Sequence, residues 1–143
     1  YQLKSSTDSV GTPANILKAI RKEFGKLYDP SPFNKKFNPA KDKDALKTDW
    51  GRTSFVNPPF SKSKQFLIKA HEQWTKGKTV IILLKTTVTN SKYFSTYSKG
   101  AELRFISHKV KFKGYKDVFW APLLLLVFRA NKRSTKWKTI SFE

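Results

Sequence analysis

Six β-branched and aliphatic residues in a row, TVIILL at positions 79–84, limit what this chain can fold into more than any other stretch. The run has the length of one strand and no polar alternation, which is the pattern of a parallel strand covered on both faces. Before it, residues 63–75 place Phe66, Leu67, Ala70 and Trp74 on one helical stripe, with Lys64, Lys69 and Glu72 toward water and Gly77 closing the helix. Residues 53–56 read as a strand that precedes this helix. Strand, helix and buried strand in succession predict an α/β domain.

The rest of the chain extends that frame. Thr12 is expected to cap a helix whose first position is Pro13, with Ile16, Leu17, Ile20 and Phe24 at helical spacing and Gly25 placed to end it in a left-handed conformation. Leu27-Tyr28 reads as a short strand ending at Asp29-Pro30. Residues 31–48, rich in Pro, Lys, Asn and Asp, read as a surface loop, long for so small a domain and of the kind that often carries function. Asn90 is expected to cap a short helix running through Tyr97. Residues 101–106 read as a strand with Leu103 and Phe105 inward, residues 110–112 as a short strand, residues 118–128 as one long strand, and residues 137–142 as a final one. The expected architecture is a three-layer α/β sheet with an antiparallel end, divided into a polar segment 1–11, a folded domain 12–130 and a basic tail 131–143 that adds a strand.

Charge bears on the partner. With 29 Lys plus Arg against 10 Asp plus Glu, the formal charge of +19 exceeds what solubility requires and points to a polyanion, nucleic acid first, with DNA and RNA not separated. An acidic protein or an anionic membrane surface would answer the same field. No Cys is present and the two His, His71 and His108, are far apart in sequence, so no metal site is expected. The apolar run 118–128 is too short to span a bilayer and is bordered by Asp117 and Arg129. Because the chain opens on Tyr1, it is expected to have lost its natural start, and localisation and oligomeric state are not legible.

The segment that carries chemistry is Asn57-Pro58-Pro59-Phe60, directly after a strand. Two prolines delete two backbone donors and fix two φ angles, so the loop is stiff and turns its carbonyls outward. Against a flipped base, the Asn57 side-chain oxygen and the Pro58 carbonyl can accept both hydrogens of an exocyclic amino group while Phe60 stacks on the ring. Accepting both hydrogens directs the nitrogen lone pair toward an electrophilic methyl group, a task for acceptors rather than a strong base. A Pro-Pro turn with Asn capping it is the plain structural reading of the same four residues.

Lysines are spread along the whole chain, and most read as solvated surface charge. Lys109, Lys111 and Lys113, alternating along a strand with Phe112 between them and Tyr115 beyond, form the best local candidate for a phosphate-contacting strip, and Ser61 and Lys62 stand beside the Asn57 loop as further nucleic-acid contacts. Trp50, Trp74, Trp120 and Trp137 read as core. Asp44 and Asp49 are candidates for a ribose or substrate contact, with solvated loop carboxylates the simpler reading.

From about Gly11 to Phe128 the chain resembles the phage DNA N-6-adenine methyltransferase family, also found in algal viruses. The resemblance runs through Thr12-Pro13, Glu23-Phe24-Gly25, Asp29-Pro30-Ser31-Pro32, Asp44-Ala45-Leu46 with Trp50, and Phe55 to Ser61, then Lys69-Ala70, the VIILL strand, Lys92-Tyr93-Phe94 and residues 101–106. It implies an abbreviated Rossmann-like methyltransferase sheet and transfer of a methyl group from S-adenosylmethionine to adenine N6 in DNA. It also implies an intracellular, virus- or phage-encoded protein. On this resemblance Asn57, Pro58, Pro59 and Phe60 are the catalytic residues, and Thr12, Pro13, Asp29 and Pro30 line the cofactor pocket.

The chain departs from the family pattern at three places. Ser31-Pro32-Phe33 follows the first short strand where small residues would stand, Phe60 replaces the more usual Tyr, and Lys85-Thr86-Thr87-Val88 and Lys109 stand where Pro and Arg are expected. An alternative of another class therefore stays open at this point: a catalytically inactive descendant of the fold, serving as a basic structural or assembly component of a virus particle or nucleoprotein complex. A plain DNA- or RNA-binding module is a third reading, without a motif of its own.

Overall fold

Residues 11–32, 44–113 and 118–143 are described by a computed structural model. TVIILL forms the heart of it as β2 (Thr79–Lys85), whose residues 80–84 are at most 1% exposed. Around β2 the chain builds α1 (Ala14–Phe24), β1 (Thr53–Val56), α2 (Ser63–Thr75), α3 (Lys92–Tyr97), β3 (Glu102–Ile106), β4 (Val110–Lys113), β5 (Val118–Ala121), β6 (Leu123–Phe128) and β7 (Trp137–Ile140). Five strands make one mixed sheet in the order β1-β2-β6-β3-β7, and β4 and β5 make a separate two-stranded ribbon.

Alternation along the buried strands divides their side chains between two cores. Val80, Ile82 and Leu84 of β2 join Leu124 and Leu126 of β6 under Phe66, Leu67 and Trp74 of α2 and Phe94 of α3. Ile81 and Leu83 join Leu123 and Leu125 under Ile16 and Ile20 of α1, together with Phe55. Helices thus cover the sheet from both sides, and each buried Leu or Ile side chain adds about 1.5–3 kcal/mol to that arrangement.

Several expectations change. The antiparallel strand is not at an end of the sheet: β6 lies inside it, antiparallel to both β2 and β3, while the edge strand β7 runs parallel to β3. The single strand expected over 118–128 is broken at Pro122, which has no N–H for a ladder; β5 goes to the ribbon with β4 and β6 to the sheet. Helix α1 begins one residue later than expected, with Pro13 as its cap and no side-chain cap bond, because the Thr12 hydroxyl is engaged elsewhere. Gly25 ends α1 at φ 83° as expected. Ser91, not Asn90, caps α3 through its hydroxyl, which accepts from the Phe94 N–H at 3.2 Å. In β3 the most buried residues are Arg104 and Ile106 rather than Leu103 and Phe105, since the face toward α1 is sealed more tightly than the other. Lys69 is half-buried against Glu72 at 2.8 Å instead of facing water.

Tyr28 forms an isolated parallel bridge with Ser54 rather than a strand, so a short stretch of chain lies beside β1 on the outer side. Its N–H donates to Thr53 O at 2.9 Å and its carbonyl accepts from Phe55 N at 3.0 Å. Every strand of the main sheet except β6 runs the same way as β1, and the Tyr28 stretch does too. Asp29, Asn57, Lys85, Ser107 and Ser141 therefore emerge along one edge.

Candidate active site at the C-terminal edge of the sheet

Open α/β sheets take their ligands outside the carboxyl ends of the strands, because the chain there leaves the ladder with polar groups to spare. Asn57 stands at that point on β1. It is 9% exposed, and its Nδ2 donates to Thr12 Oγ1 at 3.1 Å. Thr12 lies just before α1, which runs from this edge toward the opposite one, so the segment leading into the helix and the end of the strand are tied through the carboxamide. Pro58 is buried behind it. From Pro59 the chain turns through a 3-10 turn, Phe60–Lys62, in which Lys62 N–H donates to Pro59 O at 2.9 Å and Ser63 Oγ to Phe60 O at 2.9 Å. The turn feeds directly into α2, which is why the loop cannot swing away from the sheet.

Phe60 is half-buried against the α1-side core, and Lys85 Nζ lies 4.1 Å from its ring centroid. Lys85 ends β2, the strand beside β1, so parallel pairing brings an ammonium onto one face of the aromatic ring. Asp29 emerges one strand position to the other side. Its Oδ1 accepts from the Ser31 N–H at 2.9 Å, and Pro30 after it is buried. Although Asp29 keeps a solvent-facing surface, neighbouring protein desolvates its carboxyl and raises its pKa above the ordinary value, with the Ser31 N–H opposing the shift. A carboxylate raised in this way gains from a cation placed beside it.

The ribbon that carries Lys111, with Lys109 just before it, also lies at this edge. β3 ends here and β6 begins here, so the β4–β5 ribbon leaves and rejoins the sheet at the same edge as Asn57. Lys109 and Lys111 are exposed and Val110 anchors the ribbon in the core; the side chain of Lys113 and Tyr115 lie outside the described residues, as does Phe33. Ser61 and Lys62 are exposed on the turn after the Asn57 loop. The end of β7 closes the edge: Phe142 N–H donates to His108 Nε2 at 3.1 Å, and Asn15 Nδ2 donates to Phe142 O at 3.1 Å.

Two acidic candidates do not join this group. Asp49 precedes β1, at the opposite edge, where it pairs with Lys76 at 2.8 Å and accepts from Gln73 Nε2 at 3.0 Å. Asp44 closes a local turn by accepting from the Leu46 N–H at 2.9 Å. Both are accounted for by structure. Conversely, Lys85 and the tie between Thr12 and Asn57 were missed as parts of one site. Lys85 had a signal in sequence: it is the last residue of the buried run that pairs in parallel with residues 53–56.

Among the described residues, no group of three or more acidic or His side chains stands close enough to hold a metal ion, and no helix is long and apolar enough to cross a membrane. The sheet with an Asn-Pro-Pro-Phe loop on its carboxyl edge is a mixed α/β domain. The chain belongs to the DNA N-6-adenine-methyltransferase (Dam) family, whose model matches residues 2–135. No match is found among curated proteins.

Proposed function

We propose that this member of the family methylates adenine N6 in DNA, using an adenine turned out of the helix and S-adenosylmethionine as donor, on an abbreviated Rossmann-like methyltransferase sheet. The observation that carries the reading is the fixed carboxamide of Asn57, held by Thr12 at 3.1 Å on the carboxyl end of β1, with Asp29 on the adjoining stretch of the same edge. Asn57 Oδ1 and the Pro58 carbonyl accept the two amino hydrogens, which leaves the N6 lone pair out of the ring plane and available. A base is not required to start the reaction, and the proton that the methyl group displaces from N6 leaves to solvent. Phe60 receives the adenine on the ring face away from Lys85, or exchanges the Lys85 ammonium for the base.

Asp29 fits the cofactor by its chemistry, since a partly desolvated carboxylate suits the cationic amino group of the methionine part, while Pro30 and Pro13 offer apolar walls. When bound, S-adenosylmethionine supplies an electrophilic methyl group on a sulfonium. Thr12 keeps the acceptor in place rather than holding the cofactor itself. Lys109, Lys111, Lys113, Ser61 and Lys62 bind the DNA backbone around the target base.

The test uses tritiated S-adenosylmethionine and genomic DNA lacking adenine methylation, so that short recognition sequences are all represented. The wild-type protein is expected to incorporate label into adenine. Asn57→Ala is expected to lose about 100-fold or more of that rate while remaining folded and keeping its DNA affinity. Equal incorporation by both proteins, or none by either, removes the catalytic reading.

A further inference from the structure

A sizeable cleft lies away from Asn57. It has a volume of about 710 Å³ and opens on the α2/α3 side of the sheet, at the start of β3 and β7. Asn57 ends β1, at the other edge and four strand positions away, which is roughly 20 Å across the sheet at about 4.8 Å per strand.

Trp137 forms one wall. It pairs in register with Leu103, so it faces the same side as the α2/α3 core, yet no helix covers β7 there and the ring is 68% exposed. Phe105 makes a T-shaped pair with it, with centroids 6.2 Å apart and planes at 79°, so the two rings are not stacked face to face. Leu103 and Leu126 form an apolar floor. Lys99, Arg133 and Lys136 stand on the rim and all three are exposed. None of the described residues lining the cleft is acidic. Its frame is fixed by backbone bonds, Ser134 N–H to Gly100 O at 2.9 Å and Leu103 N–H to Lys136 O at 3.1 Å.

We propose that this cleft is a second nucleic-acid site, in which an unpaired base stacks on Trp137 while the flanking phosphates meet Lys99, Arg133 and Lys136. A mostly exposed aromatic ring offers a surface on which a base can stack, and a base has a free face only where the strand is not paired. Three cations without an acid complement a phosphate chain. They also argue against a second copy of the chain as the occupant, because two proteins of formal charge +19 would bring like charges together across this face. Lys136 and Trp137 lie beyond the residues matched by the family model, 2–135, whereas the rest of the cleft lies within them. The site does not depend on the methyl-transfer reading.

Oligothymidine tests it, because a strand without adenine offers no target for Asn57. Trp137→Ala in the full chain is expected to weaken oligothymidine binding about tenfold or more, Trp137→Phe to restore most of it, and Asn57→Ala to leave it unchanged. With 5-iodouracil in the oligonucleotide, photo-crosslinks are expected to map to Trp137. Because this ring is mostly in solvent, both Trp137 variants should keep the wild-type circular dichroism. Unchanged affinity in Trp137→Ala, or crosslinks confined to other peptides, overturns the proposal. So does a sedimentation result in which Trp137→Ala breaks up a dimer, since the face would then belong to a second copy.

Discussion

In the proposed reaction Asn57 acts through an atom that its own loop does not control. The prolines stiffen the backbone, but the carboxamide is oriented by the Thr12 hydroxyl, 45 residues earlier in the chain. Thr12→Val keeps the shape and removes the hydrogen bond, so the acceptor loses its alignment without losing its identity. The expected outcome is a drop in methylation rate of about tenfold, with DNA affinity within a factor of about two and recovery in Thr12→Ser; steady-state rates on the same DNA check it. An unchanged rate in Thr12→Val would mean that Asn57 is held by the loop alone. The expectation that Phe60 stacks on a base came from its place after the prolines. That one of its faces carries the Lys85 ammonium was not legible, because the contact joins the ends of two strands separated by a helix.

Helix α1 is tied to the sheet by charge as well as by Ile16 and Ile20. Glu23 in its last turn binds Arg104 of β3 with both oxygens, at 2.7 and 2.6 Å, and Arg129 after β6 at 3.0 Å. Arg104 is 4% exposed and also donates to Glu102 at 2.6 Å, so its charge is buried but fully engaged. The hydrogen bond from Arg104, with further help from Arg129, lowers the Glu23 pKa to about 2 from 4.5. A carboxyl depressed on folding stabilises the protein above its unfolded pKa and loses that contribution as pH falls through its folded one. Glu23→Gln is therefore expected to cost about 1–2 kcal/mol at pH 7, a figure reduced for the solvent around a side chain that is 39% exposed. The gap to wild type should shrink below about pH 4.5 and close near pH 2. Urea denaturation across that range measures it, and a constant gap would assign the effect to packing instead. Helix α1 was legible from its apolar spacing, but its ion cluster was not, since residue 104 sits where strand alternation alone would have put a surface charge.

At the scale of the whole molecule, +19 is spread over a domain whose two proposed nucleic-acid surfaces lie at opposite corners of one sheet. Neutralising several phosphates releases counterions, so affinity for DNA is expected to fall about tenfold or more between roughly 50 and 200 mM salt, measured by fluorescence anisotropy. A flat response would remove the electrostatic reading of the charge. The sequence by itself determined the α/β class, the buried strand at 79–84, helices α1 and α2 to within a residue, the Asn57 loop and the family, because these rest on period, caps and a local motif whose causes lie within about twenty residues. Only the tertiary structure decided that β6 inserts antiparallel between β2 and β3, that Pro122 parts β5 from β6, that Thr12 serves Asn57 rather than its own helix, and that Trp137 stands in solvent. Each of these depends on which strand lies beside which, and the edge shared by Asp29, Asn57 and Lys85 exists only once parallel pairing has aligned the ends of segments that are far apart along the chain.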